Sequence, residues 1–142
     1  MYRIYTCGKM KGLTYEEAMS WREKVELEIR FLTDKAMCIH PPRYYSYQEQ
    51  NQKTEREIFE YELSQVKNCD VLIVNLADIE QSVGSCFEIA TAVAANNMGG
   101  HHTYIIGIGS PAGHHPWILE SCMRIEPDEH SAAEYIAGYL LL

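Results

Sequence analysis

Cys69-Asp70-Val71-Leu72-Ile73-Val74-Asn75-Leu76-Ala77-Asp78-Ile79-Glu80-Gln81-Ser82-Val83-Gly84-Ser85-Cys86-Phe87-Glu88-Ile89-Ala90-Thr91-Ala92-Val93-Ala94 is the stretch on which the fold turns. Val71 to Val74 is apolar and mostly β-branched, long enough only for a buried strand. Ser82 to Ser85 carries the serine and glycine that mark a turn and a helix start. Phe87 to Ala95 consists of good helix formers with almost no charge, which predicts a helix buried over much of its surface. Glu88 is the exception, a carboxylate in the first helical turn at the carboxyl end of a buried strand. Two readings stand. Ser85 and Glu88 fit a capping box, in which the glutamate reaches back to the serine N–H. The same pattern recurs at Thr14/Glu17, Thr54/Glu57 and Ser131/Glu134. Alternatively, Glu88 is a catalytic carboxylate. Ligands of open α/β sheets sit outside the carboxyl ends of the strands, and helix N–H groups would keep Glu88 ionised, as a nucleophile requires.

Upstream, Tyr2 to Cys7 alternates and is rich in β-branched and aromatic residues, the signature of a strand. Gly8-Lys-Met-Lys-Gly12 follows as a basic loop whose glycines would allow close approach to a ligand, with Lys9 and Lys11 available to an anion. Thr14 opens a helix with Ala18, Trp21, Val25, Ile29 and Leu32 on one apolar stripe. Ala36 to Ile39 is a short strand, closed by His40-Pro41-Pro42. Arg43 to Lys53 is a long polar, aromatic loop whose tyrosines would either stack on a base or cover the core edge. Thr54 caps a helix with Ile58, Phe59, Leu63 and Val66 facing inward.

Downstream, the central helix ends between Asn96 and Gly100, with Gly99 as its left-handed stop. Thr103 to Ile108 is a further strand and Trp117 to Cys122 a short helix. Met123 to Ile125 is a last strand, and Ser131 caps a terminal helix with Ala132, Ile136, Tyr139 and Leu140 on one face. Strands and helices alternate, which implies a parallel sheet with helices on both faces. The loops after the first and third strands then share one sheet edge, bringing Tyr5 and Gly8 close to Ser82, Gly84 and Glu88.

The 142 residues suit one compact domain, 1–142, and 46% apolar content is enough for a real core. The formal net charge of -8 argues against a nucleic acid polymer as partner, because the backbone term would be repulsive. No run approaches a membrane span and no signal peptide is visible. The five cysteines lack C-x-x-C spacing and read as reduced, mostly buried thiols of a cytoplasmic protein. His101-His102 and His114-His115 are adjacent pairs, and neighbours in an extended chain point apart, so no metal site is expected. The first pair reads as a partner of a helix C-terminus.

Three stretches, Tyr5-Thr-Cys-Gly-Lys-Met-Lys-Gly12, Glu62-Leu-Ser-Gln-Val-Lys-Asn-Cys-Asp70 and Ser82-Val-Gly-Ser-Cys-Phe-Glu88-Ile-Ala-Thr-Ala92, together resemble the nucleoside 2-deoxyribosyltransferase family. The opening and the serine six residues before the glutamate look most like its 2'-deoxynucleoside 5'-monophosphate N-glycosidase branch. The resemblance implies a flavodoxin-like three-layer α/β fold with a five-stranded parallel sheet. It also implies cleavage of the N-glycosidic bond of a 2'-deoxyribonucleoside or its 5'-monophosphate, with the sugar passing to another base or to water. By position Glu88 would be the nucleophile that takes C1', held by the Tyr5 hydroxyl. Glu62 stands where the family often has aspartate, and would contact the base or sugar. Gly8, Lys9, Ser82, Gly84 and Ser85 would line the substrate site, and the latter three make a plausible phosphate cradle at a helix N-terminus. Ser82 matches the serine of the monophosphate branch, and Ser121 looks like the serine that a neighbouring subunit lends to the phosphate. A homodimer or larger homo-oligomer is therefore expected, and no cofactor. Departures are Ala90, where glycine is common, and a longer turn between Asn75 and Ser82. There Asp78 reads either as a sugar contact or as a turn former. The rival reading is a nucleotide-binding sensor on the same fold, without turnover.

Overall fold

Five parallel strands pair in the order β2-β1-β3-β4-β5 among the described residues, which in this computed structural model are 1–44 and 54–141. The strands are β1 (Tyr2–Cys7), β2 (Ala36–Ile39), β3 (Val71–Asn75), β4 (Tyr104–Ile108) and β5 (Arg124–Glu126). Every pairing is parallel; Cys7 lies beside Val74 on one side of β1, and Tyr5 beside Ile39 on the other. The helices are α1 (Tyr15–Leu32), α2 (Glu55–Asn68), α3 (Val83–Asn97), α4 (Pro116–Ser121) and α5 (Glu129–Tyr135), the last continuing as a π-turn over Ile136–Leu140. This is the flavodoxin-like three-layer arrangement. Tyr45 and Tyr47, offered above as stacking groups, lie outside the described residues.

Strand periodicity divides the core into two layers. Val25 and Ile29 of α1 and Ala132, Ala133 and Ile136 of the terminal helix pack with Ile4, Val71, Ile73 and Ile106 on one face. Val66 of α2 and Ile89 and Ala92 of α3 pack with Tyr5, Cys7, Leu72 and Val74 on the other. Val71 to Val74 are all fully buried, and each such side chain contributes on the order of 1.5–3 kcal/mol relative to exposure. The chain leaves β1 toward one side of the sheet and β3 toward the other. Their adjacent carboxyl ends form the topological switch point, where ligands of such sheets bind.

Several apolar positions expected in the core are at the surface. Leu32, Phe59 and Tyr139 are exposed, and Phe59 meets Phe87 edge-on at 6.0 Å between ring centroids. The largest departure is α3. Its inner face is buried, but Val83, Phe87, Ala90, Ala94 and Met98 face outward, because this helix is apolar all round and has one sheet to lie on. Two caps also fall elsewhere. Helix α3 begins at Val83 with Ser82 as its N-cap, so Glu88 sits in the second turn and Ser85 does not cap it. Helix α5 is capped by Asp128, whose side chain accepts from the Ser131 N–H at 2.8 Å, so Ser131 is inside the helix. Thr14 and Thr54 do cap α1 and α2. The five cysteines are free. No helix among the described residues is long and apolar enough to cross a membrane.

Candidate active site

Glu88 projects from the inner face of α3 toward β1 and is buried, at 7% exposure. The Tyr5 hydroxyl donates to its Oε2. Tyr5 reaches it because odd residues of β1 point to the α2–α3 side of the sheet, as Cys7 also does. The Cys7 thiol donates to the Ser85 carbonyl at 3.6 Å, tying the end of β1 to the first turn of α3. Glu62 approaches from α2, and its Oε1 is buried with no hydrogen-bond partner among the described residues.

Burial dominates the electrostatics. It pushes the Glu88 carboxyl up to about 8, reinforced by the Glu62 charge and opposed by the Tyr5 hydroxyl and Arg22. Burial likewise pushes Glu62 up to about 7, against the pull of Arg22. The helix N–H groups therefore do not hold Glu88 ionised; desolvation of a second-turn side chain outweighs a helix terminus whose influence fades within one turn. The Glu62 charge disfavours ionisation of Glu88. Tyr5 is raised well above the usual phenol range by burial and by both carboxylates, and so remains a donor. The Cys7 thiol is raised too, chiefly by burial, which makes it a packing residue and not a nucleophile.

Beyond this pair lies the N-terminus of α3. The Ser82 and Ser85 hydroxyls meet at 2.6 Å. Gly84 is exposed, with open space where a Cβ would stand. Lys9 spans from the loop after β1 to Gln81 at 3.4 Å. Gly8 has a packing reason for being glycine: a Cβ there would lie 2.9 Å from the Trp21 ring and 3.3 Å from Asn75 Cβ. Asp78 adopts φ 52° and opens the 3-10 turn over Ile79–Gln81, which is the turn-forming role. Tyr5, Glu62 and Glu88 are thus brought together. Ser82, Gly84 and Ser85 adjoin them on α3 and its cap, and Gly8 and Lys9 adjoin them at the end of β1.

Ser121 is placed apart. Its hydroxyl donates to the Trp117 carbonyl at 2.6 Å. It lines a groove of about 800 Å³ between the outer face of α3 and α4, with Ile89, Ala90, Ala94, Trp117 and Ile118 among its walls. The paired histidines have ordinary partners. His101 Nε2 bonds the Cys69 carbonyl at 2.7 Å, at the end of α2. His114 pairs with Glu80 at 2.7 Å, and His115 caps α4. Glu26, Cys38 and His40 do place ligand atoms within 4.8 Å of one another. However, His40 Nε2 is bonded to Glu26 at 2.8 Å, Arg43 lies 3.6 Å from the other Glu26 oxygen, and burial pushes the thiol up to about 12. Glu26 is thus already held by His40 and Arg43, and burial lowers His40 to about 4, so that bond joins a neutral imidazole to the carboxylate.

The sequence reading passed over Arg22, a fully buried arginine beside this site. Its signal was available: positions 18, 22, 25 and 29 form the buried stripe of α1, and one of them is charged.

Comparison with protein-family models gave no match, and neither did comparison with curated proteins. Among solved structures, a conserved protein from Enterococcus faecalis V583 superposes with a TM-score of 0.73 at 13% identity, over 97% of this chain and 98% of that one. The Clostridium botulinum CMP N-glycosidase BcmB superposes with a TM-score of 0.60 at 13% identity, over 96% of this chain and 98% of that one. At such identity the likeness is one of fold.

Proposed function

We propose that this chain is an enzyme that breaks the N-glycosidic bond of a 2'-deoxyribonucleoside or its 5'-monophosphate through a covalent deoxyribosyl–Glu88 intermediate. The observation that carries the reading is a buried glutamate, held by a strand tyrosine and faced by a second carboxyl, at the switch point of a parallel sheet. A solved structure of the same fold bears the name of a nucleotide N-glycosidase, which agrees with this reading.

The reaction needs Glu88 ionised and Glu62 protonated; burial holds Glu88 at about 8 and Glu62 at about 7, so before substrate binds the last proton rests on Glu88 and must pass to Glu62 or to the base before attack. Glu88 in its ionised form attacks C1' from the face opposite the base. The C1'–N bond breaks with its electron pair going to the base, and Glu62 delivers the proton that the leaving base needs. Deoxyribose lacks the 2'-OH, so its oxocarbenium-like transition state is comparatively accessible. In the second half, water or an incoming base gives its proton to Glu62 and attacks C1', freeing Glu88. The Tyr5 hydroxyl fixes the carboxylate throughout and stabilises its charge. Ser82, Ser85 and the open backbone at Gly84 form a cradle suited to a 5'-phosphate at the N-terminus of α3, with Lys9 alongside. No step requires a cofactor.

The same reading makes the protein a homo-oligomer. The α3–α4 groove is lined largely by apolar side chains, Ile89, Ala90, Val93, Ala94 and Ile118 among them, with Trp117 80% exposed on its wall. A second copy seated there would bring its Ser121 toward a phosphate that Ser121 does not touch within one chain.

The test is chromatography of dCMP, dGMP, dAMP and dTMP, their nucleosides, and CMP after incubation with the protein, with and without a free acceptor base. Free base with deoxyribose 5-phosphate indicates hydrolysis, and a new nucleotide indicates transfer. Tight binding with no product from any substrate would refute the enzyme and leave a nucleotide sensor.

A further inference from the structure

We propose that Glu26, Cys38 and His40 form a binding site for a thiophilic divalent cation of the zinc class, which pins the edge strand β2 to α1. The cluster stands on the opposite face of the sheet from Glu88, so it is independent of the reaction proposed above.

Two elements build the cluster. Cys38 lies in β2, and His40 continues its extended backbone at φ -113° and ψ 109°. Side chains two apart on an extended chain share a face. Ile39, between them, packs in the α2–α3 layer, whereas Cys38 packs in the α1 layer. There Glu26 of α1 meets them, with its Oε2 2.8 Å from His40 Nε2. One ligand atom from each of the three residues lies within 4.8 Å of the others. Ligand atoms around tetrahedral zinc, bound at about 2.0–2.3 Å, stand roughly 3–4 Å apart. Nε2 and Oε2 therefore part by about half an ångström, and the thiol moves in by no more than about 1.5 Å. The pattern that counts is Cys-x-His on a strand, closed by a carboxylate of the preceding helix; the adjacent histidine pairs take no part.

The surroundings suit the same role. His40 is fully buried, with Nδ1 2.8 Å from Thr6 Oγ1, and that hydroxyl also lies 3.2 Å from the Ile39 carbonyl. Without a metal, Nε2–H donates to Glu26 and the Thr6 hydroxyl donates to Nδ1. With a metal on Nε2, the ring proton sits on Nδ1 and donates to Thr6, which turns its own proton to Ile39. Both tautomers are satisfied, and an outer hydrogen bond of this kind orients a metal-bound imidazole. Arg43 approaches Oε1 of Glu26 at 3.6 Å, which leaves Oε2 as the ligand atom. Binding releases the Cys38 thiol proton; thiolate, carboxylate and dication then sum to zero charge. A pocket of about 220 Å³, lined in part by Glu26 and Cys38, supplies an entry path and room for water as the fourth ligand. Sulfur, nitrogen and oxygen donors together select a zinc-class ion, because calcium and magnesium take oxygen ligands. Strand β2 has four residues and one neighbour in the sheet, so a link to α1 secures the edge that pairing holds on one side only.

The experiment is titration of chelator-stripped protein with Co2+, a spectroscopic stand-in for Zn2+, followed by optical absorption. One ion per chain gives a thiolate-to-cobalt charge-transfer band in the near ultraviolet and visible bands with the intensity of a four-coordinate ion, and Zn2+ displaces both. Cys38→Ser removes the charge-transfer band, and Cys86→Ser, at a thiol outside the cluster, leaves it in place. Thr6→Val weakens cobalt binding by about 10–100-fold, the usual cost of an outer-shell partner, and Glu26→Gln weakens it at least as much. Glu26 is at the helix surface, 16% exposed, so this variant keeps its fold, which circular dichroism checks, and it decides the matter if Cys38→Ser is unfolded. A protein that takes up no cobalt, a charge-transfer band that survives in Cys38→Ser or is lost in Cys86→Ser, or native affinity in folded Glu26→Gln overturns the proposal.

Discussion

Replacing Glu88 by glutamine should make the protein more stable at alkaline pH, by an amount that grows with pH. In the folded chain burial holds the Glu88 carboxyl up to about 8, whereas in the unfolded chain it titrates near its ordinary value of about 4.3. Between these values the native state keeps a proton that the unfolded state has released, so native stability falls as pH rises through this window. At ~1.4 kcal/mol per pH unit the loss reaches on the order of 3–5 kcal/mol once pH exceeds 8, a large part of the 5–15 kcal/mol typical of a domain. Glutamine has nearly the same shape, accepts from the Tyr5 hydroxyl as the acid does, and carries no charge to bury. Urea unfolding followed by tryptophan fluorescence at unit steps from pH 5 to 9 measures the difference. At pH 5 the two proteins should agree to within about 1 kcal/mol, as for exchange of two neutral hydrogen-bonded groups. By pH 9 the variant should be ahead by several kcal/mol. Parallel profiles would mean that Glu88 is solvated, and the account of the site would be wrong.

Glu62→Gln should lower kcat by about 10²–10⁴-fold on unactivated substrates, the usual contribution of a general acid, and flatten the pH–rate profile near 7; a substrate with a good leaving group should lose far less. Ser82→Asp should weaken binding of deoxynucleoside monophosphates but not of nucleosides, because the new carboxylate repels the phosphate; isothermal calorimetry with both ligands decides this, and an equal effect on both would remove Ser82 from the phosphate site. Ala94→Glu places a charge on the exposed face of α3 that lines the apolar groove, and should lower the particle mass seen by analytical ultracentrifugation. Equal masses for variant and native protein would show that the groove is not the subunit interface.

The parallel sheet was legible because alternation of short β-branched runs with amphipathic helices admits few other arrangements, and each expected strand lies within a residue or two of an observed one. The meeting of Tyr5 with Glu88 was legible for the same reason, since strand order fixes which loops share an edge. What sequence could not give was burial. Phe59, Leu32, Tyr139 and the outer side of α3 have the composition of core, and only the sheet's finite area decides which apolar residues it covers. Two of the four expected caps, Thr14 and Thr54, are observed; the other two fall about one turn out of phase, with Ser82 and Asp128 at the N-cap positions in place of Ser85 and Ser131. Glu88 was expected to be kept ionised, and it is instead pushed toward its neutral form, because distance from the helix end and exclusion of water appear in no motif. Arg22 was missed by counting only apolar residues on a stripe; the charged member of that stripe carries more information than the rest.

The central claim is that a sugar becomes bonded to Glu88. Incubation with a 2'-deoxy-2'-fluoro nucleoside 5'-monophosphate, whose electron-withdrawing fluorine slows the second half-reaction, followed by digestion and tandem mass spectrometry, tests it directly. The account predicts that the added mass of the fluorosugar phosphate, without the base, sits on Glu88 in the peptide that contains it. An unmodified Glu88 in protein that nevertheless releases base, or the adduct on any other residue, would contradict it.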